Sequence, residues 1–248
     1  MVVALLVVCT GCRLDVTAQV QMNDDGSGSV NVVARADAEL LAKAPGALAD
    51  LRLDDVRAAG WTVSGPRPAT DGGQELALQK DFRTPAEGDA VLAELNGPGG
   101  PLHDVHLGLT RTFATQTATL AGRVQLDGGA TALGDEGLAA LLGGKQPFAD
   151  RLDRPLGEAL HLTVIAELPG TVSVANGNIS ADRRTVTFEA PLTEGLATAL
   201  GATWITKDQG ALDARRTQHV ARVALVAYVL VLVAALAAGA LWWRQRRA

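Results

Sequence analysis

Apolar and polar residues alternate along much of this chain with the period of a half-buried strand. RLDVTAQVQM (Arg13 to Met22) puts Leu14, Val16, Val20 and Met22 on one face. The turn-rich NDDGSG follows, and SVNVVA resumes the alternation, which predicts a hairpin. Ala36 to Ala59 reads as helical, interrupted by Pro45-Gly46 and stopped by Gly60. WTVSGP and QELALQKDF, separated by TDGG, predict a second hairpin in which Leu76, Leu78, Lys80 and Phe82 alternate. TPAEGDAVLAELNG opens a helix with a capping box: Thr84 as cap, Pro85 first in the helix and Glu87 three residues after the cap. Val105 to Asp127 suggests two long strands rich in Thr, Leu and Val. A short apolar helix over Glu136 to Leu142 places Leu138, Leu141 and Leu142 together between glycines. LHLTVIAELPG, TVSVANG and RTVTFEAPL supply three more strands, with NGNISADR as a hairpin loop. The interior is therefore expected to be α+β.

The two ends depart from this pattern. Val2 to Val8 is an unbroken apolar run, and Thr10-Gly11 precedes Cys12, which with Cys9 makes up the chain's 2 cysteines. A disulfide between them would close a trivial loop. The stretch is similar to a bacterial lipoprotein signal, where small residues precede the cysteine that is acylated; Cys12 is then the lipidation site and residues 1–11 the signal. No Lys or Arg stands before Arg13, so a basic start upstream of the given Met1 is expected. At the other end, Val223 to Trp243 carries no charge. As a helix it would measure about 31 Å, the hydrocarbon thickness of a bilayer. Arg215, Arg216 and Arg222 precede it and Arg244, Arg246 and Arg247 follow, so flanking charge does not orient it. An exported Cys12 does: 12–208 becomes an extracytoplasmic domain, 209–222 a basic juxtamembrane stalk, 223–243 a transmembrane helix and 244–248 a cytoplasmic tail at the plasma membrane.

Charge narrows the partners. Arg13 to Asp208 holds 16 Lys and Arg against 26 Asp and Glu, a net of −10, which argues against nucleic acid. DDGSGS fails as a calcium loop, because Ala34 stands where a bidentate Glu is required. In HDVH, His103 and His106 would point to opposite faces of a strand, so no metal site is expected. Arg183-Arg184 reads as a solvated turn with an alternative role against a phosphate. No phosphate loop, nucleotide fingerprint or Ser-His-Asp set stands out, and neither a cofactor nor catalysis is expected.

Cys12 followed by RLDVTAQVQMNDDGSGSV, then AAGWTVSG, LALQKDF with TPAE, the late TVSVANGNISADRRTVTFEAPL and one C-terminal span together resemble the LppM-type lipoproteins of actinobacteria. The resemblance implies a curved, mostly antiparallel sheet with packed helices. It also implies envelope association and recognition of lipids such as phosphatidylinositol mannosides. Two functions stay open: a non-catalytic binding module for a lipid or glycolipid at the outer face of the membrane, or an interaction subunit that docks a protein partner. For the first, Leu107, Leu109, Phe113, Leu162, Val164 and Phe188 are candidate lining of a ligand cavity on the concave side of the sheet, and a filled core is their other reading. Leu138, Leu141 and Leu142 are a candidate lid.

Double anchoring is directly testable. Cys12→Ala should abolish metabolic acyl labelling while 223–243 still holds the chain in the membrane fraction; an unmodified Cys12 thiol in the mature protein would refute lipidation.

Overall fold

The structure, a computed structural model, describes residues 13–43, 48, 51, 53–95, 101–125, 160–191 and 196–210. Cys12, the helix expected over 136–142 with Leu138, Leu141 and Leu142, most of the expected stalk, the expected span 223–243 and the tail 244–248 lie outside them. Among the described residues no helix is long and apolar enough to cross a membrane. The chain falls into two units, Met1–Thr110 with Gln116–Thr206, and Arg111–Thr115 with Lys207–Ala248.

The expected alternation becomes strands β1 (Leu14–Met22) and β2 (Gly28–Ala36), closed by the Asn23–Ser27 turn. The interrupted helical stretch expected over Ala36 to Ala59 is two short helices, α1 (Ala38–Lys43) and α2 (Asp54–Ala58), on either side of Pro45-Gly46. The second hairpin is β3 (Thr62–Pro68) with β4 (Gln74–Phe82). Helix α3 (Pro85–Glu94) starts as its capping box predicts: Thr84 Oγ1 accepts from the Glu87 amide at 3.2 Å. The Glu87 carboxylate returns to the Arg83 amide at 2.8 Å, one residue earlier than the standard box. β5 (Leu102–Arg111) and β6 (Thr115–Gln125) form the third hairpin. β7 (Leu160–Glu167), β8 (Thr171–Ala175), the two-residue β9 (Asn178–Ile179) and β10 (Thr185–Pro191) follow. Two strands are not expected from the pattern: β9, which lies within the expected loop NGNISADR, and β11 (Ala197–Lys207).

Two sheets replace the single curved one. The first has seven strands in the order β3-β4-β2-β1-β7-β10-β9, the second four in the order β5-β6-β11-β8. Most pairs of the first sheet are antiparallel, but β1 and β7 run parallel, Leu14 beside Leu160 through Gln21 beside Glu167. No hairpin joins these two strands; the chain between them is long enough for the crossover that parallel pairing needs. Inward residues of both sheets share one core with Val91 and Leu92 of α3; the four-stranded sheet contributes Leu107, Leu120, Val124, Val172, Leu200 and Trp204. Trp204 is 0% exposed, and its indole N–H donates to the Arg184 carbonyl at 2.7 Å, so the one polar atom of the ring is satisfied. A smaller cluster of Ala36, Leu40, Leu48 and Leu76 lies on the same face of the sheet, at the other end of the β2–β4 pair.

A charged latch ties α3 to the sheet. Lys80 Nζ donates to Glu94 at 2.6 and 2.8 Å and to the Ala59 carbonyl at 2.7 Å, and lies 5.9 Å from the centre of the Trp61 ring. The Trp61 indole N–H donates to the same Glu94 carboxylate at 3.0 Å. The Lys80 hydrogen bond, helped by Trp61, holds the Glu94 carboxyl below its usual range against the opposing effect of desolvation. Asp71 is likewise lowered, chiefly by Arg35, and Asp182, chiefly by Ser180. A carboxylate depressed in the folded state stabilises the fold above its unfolded value of about 4.3 for Glu, and that contribution disappears as pH falls through the lower folded value. Stability should therefore decline on acidification below about pH 4.5. Glu94→Gln should flatten part of that decline, leaving the part due to Asp71 and Asp182. Denaturant midpoints measured across pH for both proteins check this, and identical slopes would refute the latch.

Candidate functional site: a polar groove on the outer sheet face

Alternation sends one side chain of each pair into the core and the next onto the opposite face of the seven-stranded sheet. On β1 that opposite face carries Asp15 and Thr17, on β2 Val33 and Arg35, on β7 His161 and Thr163, and on β10 Glu189 and Pro191. Register aligns them in rows. Asp15 stands beside Arg35 and His161, Arg35 beside Glu75, and His161 beside Pro191. In the next row Thr17 lies between Val33 and Thr163, and Thr163 beside Glu189. These residues, together with Arg13, line an open groove of about 810 Å³.

The groove is internally wired. Asp15 Oδ1 accepts from Arg13 Nε at 2.6 Å and lies 3.3 Å from His161 Nδ1. Arg35 Nη2 donates to Asp71 Oδ2 at 2.7 Å, and Arg67 pairs with Glu75. Asp71 also accepts from the Gly73 amide at 3.2 Å, so the turn before β4 fixes the direction of the Arg35 guanidinium. Glu189 is exposed and has no ionic partner among the described residues. Carboxylate acceptors, guanidinium donors and Thr hydroxyls thus alternate at sheet spacing over a floor that includes Val33, Leu162 and Ala190. That donor and acceptor set suits a ligand with several hydroxyl groups, whose oxygens both give and take hydrogen bonds. It does not make a metal cage: among the described residues no group of three or more His, Cys, Asp or Glu is placed to hold an ion.

The apolar residues expected to line a cavity sit elsewhere. Leu107, Leu162, Val164 and Phe188 are buried in the core between the sheets, at 6% exposure or less, and Leu109 packs against its margin. Glycines accommodate three of them. A Cβ on Gly177 would meet Phe188 Cδ1 at 2.8 Å, one on Gly88 would meet Leu107 Cδ1 at 2.7 Å, and one on Gly26 would meet Leu109 Cδ2 at 3.2 Å. Phe113 is 68% exposed, far from the burial a cavity lining implies. Of these six, Leu162 alone borders the polar groove as well as the core.

A second hollow of about 420 Å³ lies between α3 and the start of β5, bordered by Asp89, Leu92, Asp104 and His106. Here Asp89 is occupied structurally: Oδ1 accepts the Leu107 amide at 2.6 Å and Oδ2 lies 3.2 Å from His106 Nδ1. His103 points away to the Gln125 carbonyl at 3.1 Å, so HDVH is no joint site. Arg183, one of the two arginines at the late turn, donates its guanidinium to the Val172 carbonyl and is a structural tie.

Comparison with known proteins adds one likeness. No protein family profile matches the chain, and no curated protein matches it by sequence. Among solved structures it is similar to the folded domain of the Mycobacterium tuberculosis LppM protein, determined by NMR. That likeness has a TM-score of 0.45 and 18% identity, and covers 81% of this chain and 94% of that one.

The burial of Phe188 makes a quantitative prediction. Phe188→Ala should destabilise the fold by about 3–5 kcal/mol in denaturant titration, whereas Thr163→Val on the groove face should change stability by less than about 0.5 kcal/mol. A negligible cost at Phe188 would show that its surroundings are not close-packed.

Proposed function

We propose that this chain is a non-catalytic, membrane-anchored binding module that takes the hydroxyl-rich headgroup of a lipid or glycolipid in the groove on the outer face of its seven-stranded sheet. The reading rests on one observation: the groove joins Asp15, Glu189, Thr17, Thr163, Arg13 and Arg35 in a set matched to polyol oxygens, and its member Arg13 directly follows Cys12. With Cys12 acylated, that residue is one peptide unit, about 3.8 Å, from the lipid attachment point, and the groove opens where leaflet headgroups are. On this reading the domain is extracytoplasmic at the plasma membrane, the tail 244–248 is cytoplasmic, and the acyl chains of the ligand stay in the leaflet while only its head is bound. Such a division of labour needs no apolar cavity between the sheets.

Native mass spectrometry of the full chain, released from nanodiscs of phosphatidylcholine mixed with phosphatidylinositol mannoside, tests the reading. The mannosylated lipid should remain bound in preference to phosphatidylcholine. Asp15→Asn with Glu189→Gln, neither of which is a core residue, should reduce that retention by on the order of ten-fold or more, as expected when two charged hydrogen bonds are weakened by about 0.7 kcal/mol or more each. Equal retention of both lipids, or retention that the double variant leaves unchanged, would sink the groove as the site and leave the docking subunit as the better reading.

A further inference from the structure

Five aromatic side chains belong to the described residues, and four are buried: Trp61, Phe82, Phe188 and Trp204 are 5% exposed or less. The fifth, Phe113, is 68% exposed at the tip of the β5–β6 hairpin. That tip is firmly built. The Thr112 amide donates to the Thr115 carbonyl at 2.8 Å, and Thr112 Oγ1 donates to the same oxygen at 3.1 Å. The Asp208 amide donates to the Ala114 carbonyl at 2.9 Å, so the tip is bonded to the point where the chain leaves β11. Two exposed cations flank it, Arg111 at the end of β5 and Lys207 at the end of β11, with the acidic Asp208 beside them, so this trio is net positive by one charge. Beyond Asp208 come Arg215, Arg216 and Arg222 and then the uncharged Val223–Trp243.

We infer that the Phe113 tip inserts into the headgroup–acyl boundary of the bilayer and holds its hairpin at the membrane surface. The inference rests on reading 223–243 as a membrane span, and is independent of what the groove binds. An exposed aromatic costs free energy in water and gains it at an interface, where its ring reaches acyl carbons while neighbouring cations meet lipid phosphates. Single exposed apolar residues on a soluble surface need no partner. What distinguishes Phe113 is its placement: a rigid turn, two flanking cations, and a backbone bond to Asp208, from which the 209–222 stalk spans at most about 45–50 Å even when fully extended. The cations select an anionic surface. The occupant is therefore lipid at the anchor's own membrane rather than a protein groove.

The test uses the full chain with Cys9 and Cys12 replaced by serine and a nitroxide attached through Phe113→Cys, reconstituted in vesicles of phosphatidylcholine and phosphatidylglycerol and isolated by flotation. A second label at Val174→Cys, on edge strand β8 and 69% exposed, serves as the reference. The label at 113 should collide several-fold less with an aqueous nickel chelate, and more with oxygen, than the label at 174. Equal aqueous access at both sites would overturn the inference. Phe113→Asp, read by a nitroxide at Thr112→Cys, should restore aqueous access at the tip; an unchanged, buried signal there would show that Phe113 is not what inserts. Neither outcome bears on lipid retention in the groove, so the two readings fail separately.

Discussion

The parallel pairing of β1 with β7 is the constraint on which the molecule is built. It joins Leu14 to Leu160 and Gln21 to Glu167 across most of the length of the chain, and among the described residues it is the only ladder that welds the N-terminal strands β1 to β4 to the later β7, β10 and β9. Its register decides both faces at once. Inward, Val16, Ala18 and Val20 come beside Leu162, Val164 and Ala166 and close the core. Outward, the same register sets Asp15 beside His161 and Thr17 beside Thr163. A slip of one residue would turn the apolar set out and the polar set in, so the hydrophobic effect that fixes the core also fixes the spacing of the groove.

The sheets also manage their edges with particular residues. β3 carries Pro66 and Pro68, which lack an amide to offer a neighbouring chain. On β5 the Leu107 amide is taken by Asp89 from α3. On β8 both backbone groups of Val172 are used by Arg183, whose amide-plane carbonyl accepts from the Val172 amide at 2.8 Å while its guanidinium donates to the Val172 carbonyl. Arg183 reaches this position with φ 57, a left-handed conformation held by the Ser180–Thr185 turn. Residues that look like candidate ligand contacts in the sequence, Arg183 and His106 among them, are thus spent on closing the fold.

Local pattern carried much of the architecture. The strands β1, β2, β4, β7 and β10 follow from period-two alternation, and the start of α3 from Thr84, Pro85 and Glu87. β11 escapes the local pattern because Ala197 to Gly201 is poor in β-branched and aromatic residues, although Leu200, Ala202 and Trp204 alternate on its buried face. The groove was not legible for a different reason. Asp15, Arg35, His161 and Glu189 each occupy ordinary outward positions on their own strands, and only the order β2-β1-β7-β10 makes them neighbours. Strand order between distant segments is not written in any local window, least of all for a parallel pair.

That parallel ladder also sets the order in which the molecule can assemble. The hairpins β1–β2 and β3–β4 join residues close in sequence and lose little chain entropy on closing, so the four-strand half, β3-β4-β2-β1, can form early. Its inner strand β1 then presents an unpaired row of amides and carbonyls from Leu14 to Gln21 until β7 has emerged and found it. Non-local pairings of this kind form slowly, and an open apolar edge is where chains associate wrongly in the meantime. In a chain made from its N-terminus the interval lasts at least until residue 167 has been synthesised, so that edge stays open far longer than a hairpin strand waits for its neighbour.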